Sequence, residues 1–343
     1  MSFLGERNAI AIGVSQHTVL GSGPLMPQSS PSLLLQFAGA QTMDPRVTFT
    51  RSTTATYFNQ SGVLSTAAIN EPRFDYNPVT LAPLGLLIES SRTNLLLNSA
   101  TLSTQNVTVT AVATTLSFYG TGTVTLSGTA TGTLVGTGAS PSRVSLTFTP
   151  TAGTLTLTVS GSVVNAQLEA GAFATSYIPT VGSQVTRAAD NAVMTGTNFT
   201  SWYNATEGTL FSEASSYDVS SARVCFVIND GTTANRGHTG HGAGARAFIS
   251  VGGVIQLTQA LPSATFSNNT ASKVSMGYLL NNGNAAANGN LGTLDTAMTI
   301  PVVTQAQIGT QVLAAASTLN GHIRRIVYYP RRLTDGEIQG LTL

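Results

Sequence analysis

From Asn98 to about Pro179 the chain alternates apolar with small polar side chains, a pattern that suits a β-strand with one buried face. Successive strand residues point to opposite faces, so a period of two gathers Val107, Val109 and Ala111 on one side. Val144, Leu146 and Phe148 form a second such row, and Leu155, Leu157 and Val159 a third, with Thr154, Thr156 and Thr158 opposite. Leu116–Tyr119, Val124–Leu126, Leu134–Val135 and Val163–Leu168 complete about seven short strands. Glycines such as Gly120, Gly128, Gly153 and Gly161 punctuate them. The spacing predicts a small antiparallel β-sandwich.

Charge is the second constraint. Only 8% of the residues are charged, against about 25% in an ordinary soluble domain. Thr93 to Leu168 contains a single charged residue, Arg143, whereas Arg51, Glu71, Arg73, Asp75, Glu89 and Arg92 all fall between Val47 and Ser99. There they are interleaved with aromatic and aliphatic side chains, which predicts a packed connector crossed by ion pairs and hydrogen bonds. Arg73 or Arg92 is expected to pair with Asp75, Glu71 or Glu89. A flexible spacer would be built from Gly, Ser and unpaired polar residues instead. Arginine supplies nearly all the positive charge, since Lys273 is the only lysine, and its planar fork suits fixed contacts.

The remaining composition narrows the function classes. A net charge of +1 leaves no basic footprint for nucleic acid. One cysteine, Cys225, excludes an intramolecular disulfide, and its setting in Val224–Ile228 predicts a buried thiol. No run approaches the roughly 18 apolar residues of a membrane span, and Met1–Gly13 lacks the apolar core of a signal peptide. Assembly in a reducing cytoplasm is therefore expected. The length of 343 residues suits two or three domains.

In chain order, residues 1–46 are dense in Gly and Pro and read as an extended arm that docks onto another protein, with short strands near Ala9–Val14 and Leu33–Phe37. Residues 47–98 are the connector, and 99–190 the small sandwich with a return segment anchored by Tyr177–Pro179. Residues 200–343 form a second β domain. Its expected strands are Thr209–Ala214, Arg223–Ile228, Ala245–Val251, Gly253–Leu257, Lys273–Leu280 and Gln305–Gly309, with turn chemistry at Asn281–Gly283 and Asn288–Gly289. Thr334 and Glu337 have capping-box spacing before a short helix whose apolar side is Ile338 and Leu341. The fold class is thus all-β: two antiparallel, jelly-roll-like sandwiches, a packed connector and an extended N-terminal arm.

Three stretches carry a resemblance: FTRSTTATYFNQSGVL, EPRFDYNPVTLAPLGLLIESSRTNLLLNS and AQLEAGAFATSYIPTVGSQVTRAADN. They are similar to a segment that recurs in tailed-bacteriophage virion proteins, ahead of a carbohydrate-binding-like or lectin-like sandwich. The ending Arg331–Ile338 resembles the last strand and helix of concanavalin-like and laminin-G-like jelly rolls, from about Glu207 onward. The resemblance implies a virion structural protein: a fibre, tail-appendage or capsid-decoration subunit, docked by its arm onto other virion proteins. Sandwich edges with so little charge imply a homo-oligomer, expected as a trimer. A host-glycan receptor-binding protein is the first alternative, and a glycan depolymerase the second.

Recognisable chemistry is sparse. His238 and His241 lie in a glycine-rich stretch that reads as a solvated loop, with a metal as the sharper reading, or a symmetry axis lined by the two histidines if several chains meet there. No third ligand stands beside them, so no metal and no cofactor is expected. The Gly-x-Gly fragments lack a following helix, and no nucleophile elbow or triad sequence occurs. Asp218 with Asp230, or Asp75 with Glu89, make a formal glycosidase pair but read better as structural partners of arginines. Trp202-Tyr203, with the single tryptophan, is the candidate for a sugar platform, and burial at the domain junction is the expectation for it. No catalytic residue is assigned, and no ligand-binding residue follows from the pattern.

Overall fold

The computed structural model describes residues 27–243, 246–261, 264–311 and 317–343. Regular structure in them is almost entirely β, with two short helices, Thr197–Thr200 and Asp335–Gly340. All seven strands expected of the small sandwich are present. Gly132–Val135, Thr123–Gly128, Gly153–Ser160 and Gln105–Val109 form one sheet, in that spatial order. Val144–Phe148, Thr114–Tyr119 and Val164–Ala170 form the other. Val107, Val109, Leu116, Phe118, Val124, Leu155, Leu157 and Leu168 fill the space between them. The threonines opposite Leu155 and Leu157 lie on the outer face, as the two-residue period requires.

The second sandwich is larger than the sequence suggested, because it recruits strands from the whole chain. Its eight-stranded sheet runs Asn290–Leu291, Asn282–Ala287, Ser272–Leu279, Glu207–Ser216, Gly321–Tyr329, Pro83–Ile88 and Phe74–Tyr76. Leu33–Gln36 adds to Gly321–Tyr329 on the side that Pro83–Ile88 occupies further along. The opposing seven-stranded sheet runs Thr48–Thr50, Asn191–Thr195, Gln305–Ile308, Arg223–Asn229, Arg236–His241, Arg246–Val251 and Val254–Gln259. One apolar core joins the two sheets, including Leu33, Leu35, Leu86, Phe226, Ile249, Met276, Ile308 and Ile326.

Two boundaries drawn from the sequence therefore move. Leu33–Gln36 belongs to the core and not to a docking arm: Leu33 and Leu35 point inward and Leu34 outward, in register with Tyr328, Ile326 and Val327. The strand expected at Ala9–Val14 lies outside the described residues. The connector is likewise no separate layer, since Thr48–Thr50, Phe74–Tyr76 and Pro83–Ile88 are strands of the large sandwich. Two pieces of it stay outside that sandwich: the hairpin of Ala55–Phe58 with Leu64–Ala67, and Arg92–Asn94, which pairs with Val185–Arg187. Gly85 shows how tightly this part is sewn in. It has φ +119°, and a Cβ there would stand 2.1 Å from the Ile323 carbonyl oxygen. Only glycine accepts both that conformation and that approach.

The C-terminal expectation holds in detail. The Thr334 hydroxyl accepts from the Glu337 amide, the Glu337 carboxylate accepts from the Thr334 amide, and Ile338 packs with Phe211, Val327 and Leu333. Asn288 and Gly289 both take positive φ in the two-residue turn between Asn282–Ala287 and Asn290–Leu291. The preceding turn centres on Leu280 and Asn281, so Asn282 and Gly283 already lie in the strand.

Candidate functional site

The scarce charges meet where the two sandwiches join. Arg73 Nη1 lies 2.8 Å from Glu89 Oε2 and its Nη2 lies 2.6 Å from Asp190 Oδ2. Arg51 Nη1 is 3.0 Å from Asp190 Oδ1, and Arg187 Nη2 is 3.4 Å from Glu89 Oε2. All five side chains are buried. Such a cluster is tolerable when most of its remaining polar atoms are satisfied, and here Arg73 Nε and Arg187 Nε are the ones buried without a partner. Arg51 also donates to the Thr53 and Ala68 carbonyls, Arg73 to Thr56 and Arg187 to Ser90. Ser176 donates to Glu89 from both its amide and its hydroxyl, at 2.8 and 2.6 Å. Burial pushes the Glu89 carboxyl upward, but Arg187, Arg73 and Ser176 outweigh it and hold the group well below the usual carboxylate range.

This cluster accounts for part of the segment that looked organising. Asn94, fully buried, donates to the Ala166 and Ile178 carbonyls and accepts from the Leu96 and Leu168 amides, so it clasps the small sandwich to the return segment. Tyr177 is buried with its hydroxyl 2.8 Å from Ser99 Oγ, the anchor expected of it. Of the six connector residues named from sequence, Arg51, Arg73 and Glu89 enter the cluster. Asp75 is buried apart from it, 2.8 Å from His322 Nε2 and accepting from the Phe58 amide. Arg92 faces Glu169 at 3.7 Å, not the expected acids. Glu71 is exposed and accepts from the Ala68 amide. Asp190 and Arg187, which complete the cluster, were not singled out in the sequence.

In front of the cluster opens a cleft of about 380 Å³ between the two sandwiches. Tyr57 and Phe58 come from the hairpin, Phe173 from the return segment, Tyr119 from the small sandwich and Tyr217 from the large one. Tyr57, Phe58, Phe173 and Tyr217 are half-buried, so each leaves part of its ring accessible. Ser145, Thr147, Asn268 and Asn269 add exposed polar groups, and Arg143 lies on the same wall. Two carboxylates reach it. Asp75 is the one held by His322, and Asp218 lies 2.5 Å from Arg223. Ser176 and Thr56 line the cleft and bond the charge cluster behind it, so the wall is fixed from the rear. Aromatic faces with a few placed polar groups are the usual make-up of a small-ligand cleft.

The other sequence candidates resolve differently. His238 and His241 sit in the strand Arg236–His241, both buried, and not in a solvated loop. Three positions apart on a strand, they point to opposite faces and do not converge on one ion. Among the described residues, no group of three His, Cys, Asp or Glu is placed to hold a metal. Burial pushes His241 down to about 4. Cys225 is buried as expected. Trp202 is also buried, its ring 5.0 Å from those of Phe199 and Tyr328, inside the large core and not on a sugar platform. Asp230 is engaged by Thr232 and Asn235 of its own loop.

No family model matches the chain, and no curated protein matches it either. Among solved structures it is similar to the Ruminococcus gnavus IT-sialidase CBM40 bound to α2,3-sialyllactose, with a TM-score of 0.36 and 18% identity over 40% of this chain and 83% of that one. The NanB sialidase of Streptococcus pneumoniae, as its K499G mutant, gives a TM-score of 0.37 and 12% identity, over 44% of this chain and 26% of that one. Trypanosoma rangeli sialidase gives 0.35 and 14%, over 44% and 25%. Scores this low say nothing of ligand or activity.

Proposed function

We propose that this chain is a non-enzymatic, glycan-binding structural subunit of a tailed-phage virion, and that it holds a saccharide in the cleft between its sandwiches. One observation carries the binding reading: half-buried aromatic residues from three separate segments converge on one polar-edged cleft whose wall is pinned by a buried ion cluster. Sugar rings have apolar faces that pack on aromatic rings and hydroxyls that pair with the rim. Both cleft carboxylates are already engaged, Asp218 by Arg223 and Asp75 by the His322 ring, which suits holding a sugar better than cleaving it. The virion setting rests on the resemblance of the three quoted stretches, docking through the N-terminal residues also on their density of Gly and Pro, and assembly as a trimer on sandwich edges that carry little charge.

A glycan array probed with the full chain tests the binding reading. Binding is expected, and Tyr57→Ala should weaken it about tenfold or more while leaving the melting temperature within a few degrees. An array with no positive glycan overturns it. Release of reducing sugar from a bound polysaccharide would favour the depolymerase alternative. Imaging of labelled chain on purified particles, with its copy number, tests the virion setting. Light scattering tests the trimer, and a monomer at micromolar concentration counts against it.

A further inference from the structure

We infer that Arg143 makes the cleft selective for a carboxylated sugar, a conclusion that rests on the glycan-binding reading and sharpens it. Arg143 is the single charged residue between Thr93 and Leu168. It is held in place: Nη1 donates to the Thr175 carbonyl at 2.6 Å, Nη2 donates to Ser117 Oγ at 2.7 Å, and the guanidinium lies 6.0 Å from the Tyr119 ring centroid. Those two bonds leave one N–H on each of Nη1 and Nη2 uncommitted, while Nε is buried without a partner.

Among the described residues, no carboxylate lies within 4 Å of Arg143: buried Glu169 acts on it only from further away and faces Arg92 at 3.7 Å, while Asp218 counters Arg223 at 2.5 Å. The two acids on the cleft wall are also committed, Asp75 to His322 and Asp218 to Arg223. The fully buried arginines of the cluster are each paired, and Arg236, which like Arg143 has no carboxylate within 4 Å, lies over the Phe248 ring outside the cleft. A preorganised cation left open on an aromatic wall calls for an anion from outside. A planar guanidinium fork matches a planar carboxylate in bidentate fashion, and a ring stacked against Tyr57 or Phe173 would exclude water from the contact and strengthen it.

Calorimetric titration of the full chain decides the matter. The probes are a glucuronate-containing tetrasaccharide and the same tetrasaccharide after reduction of its carboxyls to primary alcohols, run beside an array of neutral, carboxylated and sulfated glycans. The carboxylated form is expected to bind about tenfold or more tightly, with a preference that shrinks as salt rises. Arg143→Gln should bring the ratio of the two affinities close to one, and Arg143→Lys should give an intermediate ratio. Should Arg143→Gln not fold, the comparison in the parent chain decides alone. Equal affinity for both forms, or binding of neutral glycans only, overturns the inference and leaves glycan binding standing. A sulfated glycan without carboxyls that binds equally well overturns the carboxylate assignment. Failure of every glycan class removes the underlying reading as well.

Discussion

Arg73 touches more of the junction than any other charged side chain. It donates to Thr56, Glu89, Asp190 and Ser176, which belong to the hairpin, the large sandwich, its second sheet and the return segment. Arg73→Ala leaves Glu89 and Asp190 buried beside the two remaining arginines, with the Thr56 carbonyl and the Ser176 hydroxyl each short of a partner. Loss of one partner from such a buried pair costs about 3–5 kcal/mol. Arg92 is partly exposed, and its acid is already served by Thr175 and Gln167. Arg92→Ala is expected to cost about 0–1 kcal/mol. Denaturant melts of both variants check the contrast, and equal losses would refute it. The sequence revealed Arg51, Arg73 and Glu89 because charge is rare and crowds there. It hid Asp190 and Arg187, since their partners lie on average some hundred residues upstream and no local period marks them. It also misassigned Asp75, whose partner His322 stands near the other end of the chain.

Elements tell the same story at larger range. The small sandwich was legible strand by strand because the rows of Gln105–Val109, Thr123–Gly128 and Gly153–Ser160 keep a period of two, although only Thr123–Gly128 and Gly132–Val135 are neighbours both in sequence and in space. The strand Leu33–Gln36 was visible, but its destination was not. Four residues of LLLQ carry no sign of what they pair with, and the glycines and prolines around them suggested an arm. Register with Gly321–Tyr329 makes it a core strand, with Leu35 buried and Leu34 about half exposed. Leu35→Ala should therefore destabilise by about 2–5 kcal/mol, while Leu34→Ala should stay within about 0.5 kcal/mol. Similar losses at the two sites, in urea titrations of full-length protein, would mean that this strand does not pack as described. Arg236–His241 was misread for the opposite reason. Its glycines mimic a loop, yet Gly237 and Gly240 are strand positions opposite Ile249 and Arg246.

At the scale of the whole molecule there are two main apolar cores among the described residues, one in each sandwich, and they do not merge into one. The ion cluster, Asn94 and Ser176 join them instead. Polar joints of this kind are directional, so the cleft should keep its shape only while the joint is intact. Scanning calorimetry of the parent is expected to give one transition, and Arg73→Ala two, as the sandwiches uncouple. A single sharp transition in both would show that the cores are coupled some other way. The strand Gly321–Tyr329 has a further consequence, for synthesis. It is made long after Leu33–Gln36 and Pro83–Ile88, yet it pairs with both and with Glu207–Ser216. On a ribosome adding about 5–20 residues per second, the small sandwich emerges complete and can close early. The N-terminal strands of the large one must wait tens of seconds for their partner, apolar and unpaired. The nascent chain is exposed to capture by chaperones, or by another copy of itself, for just that interval.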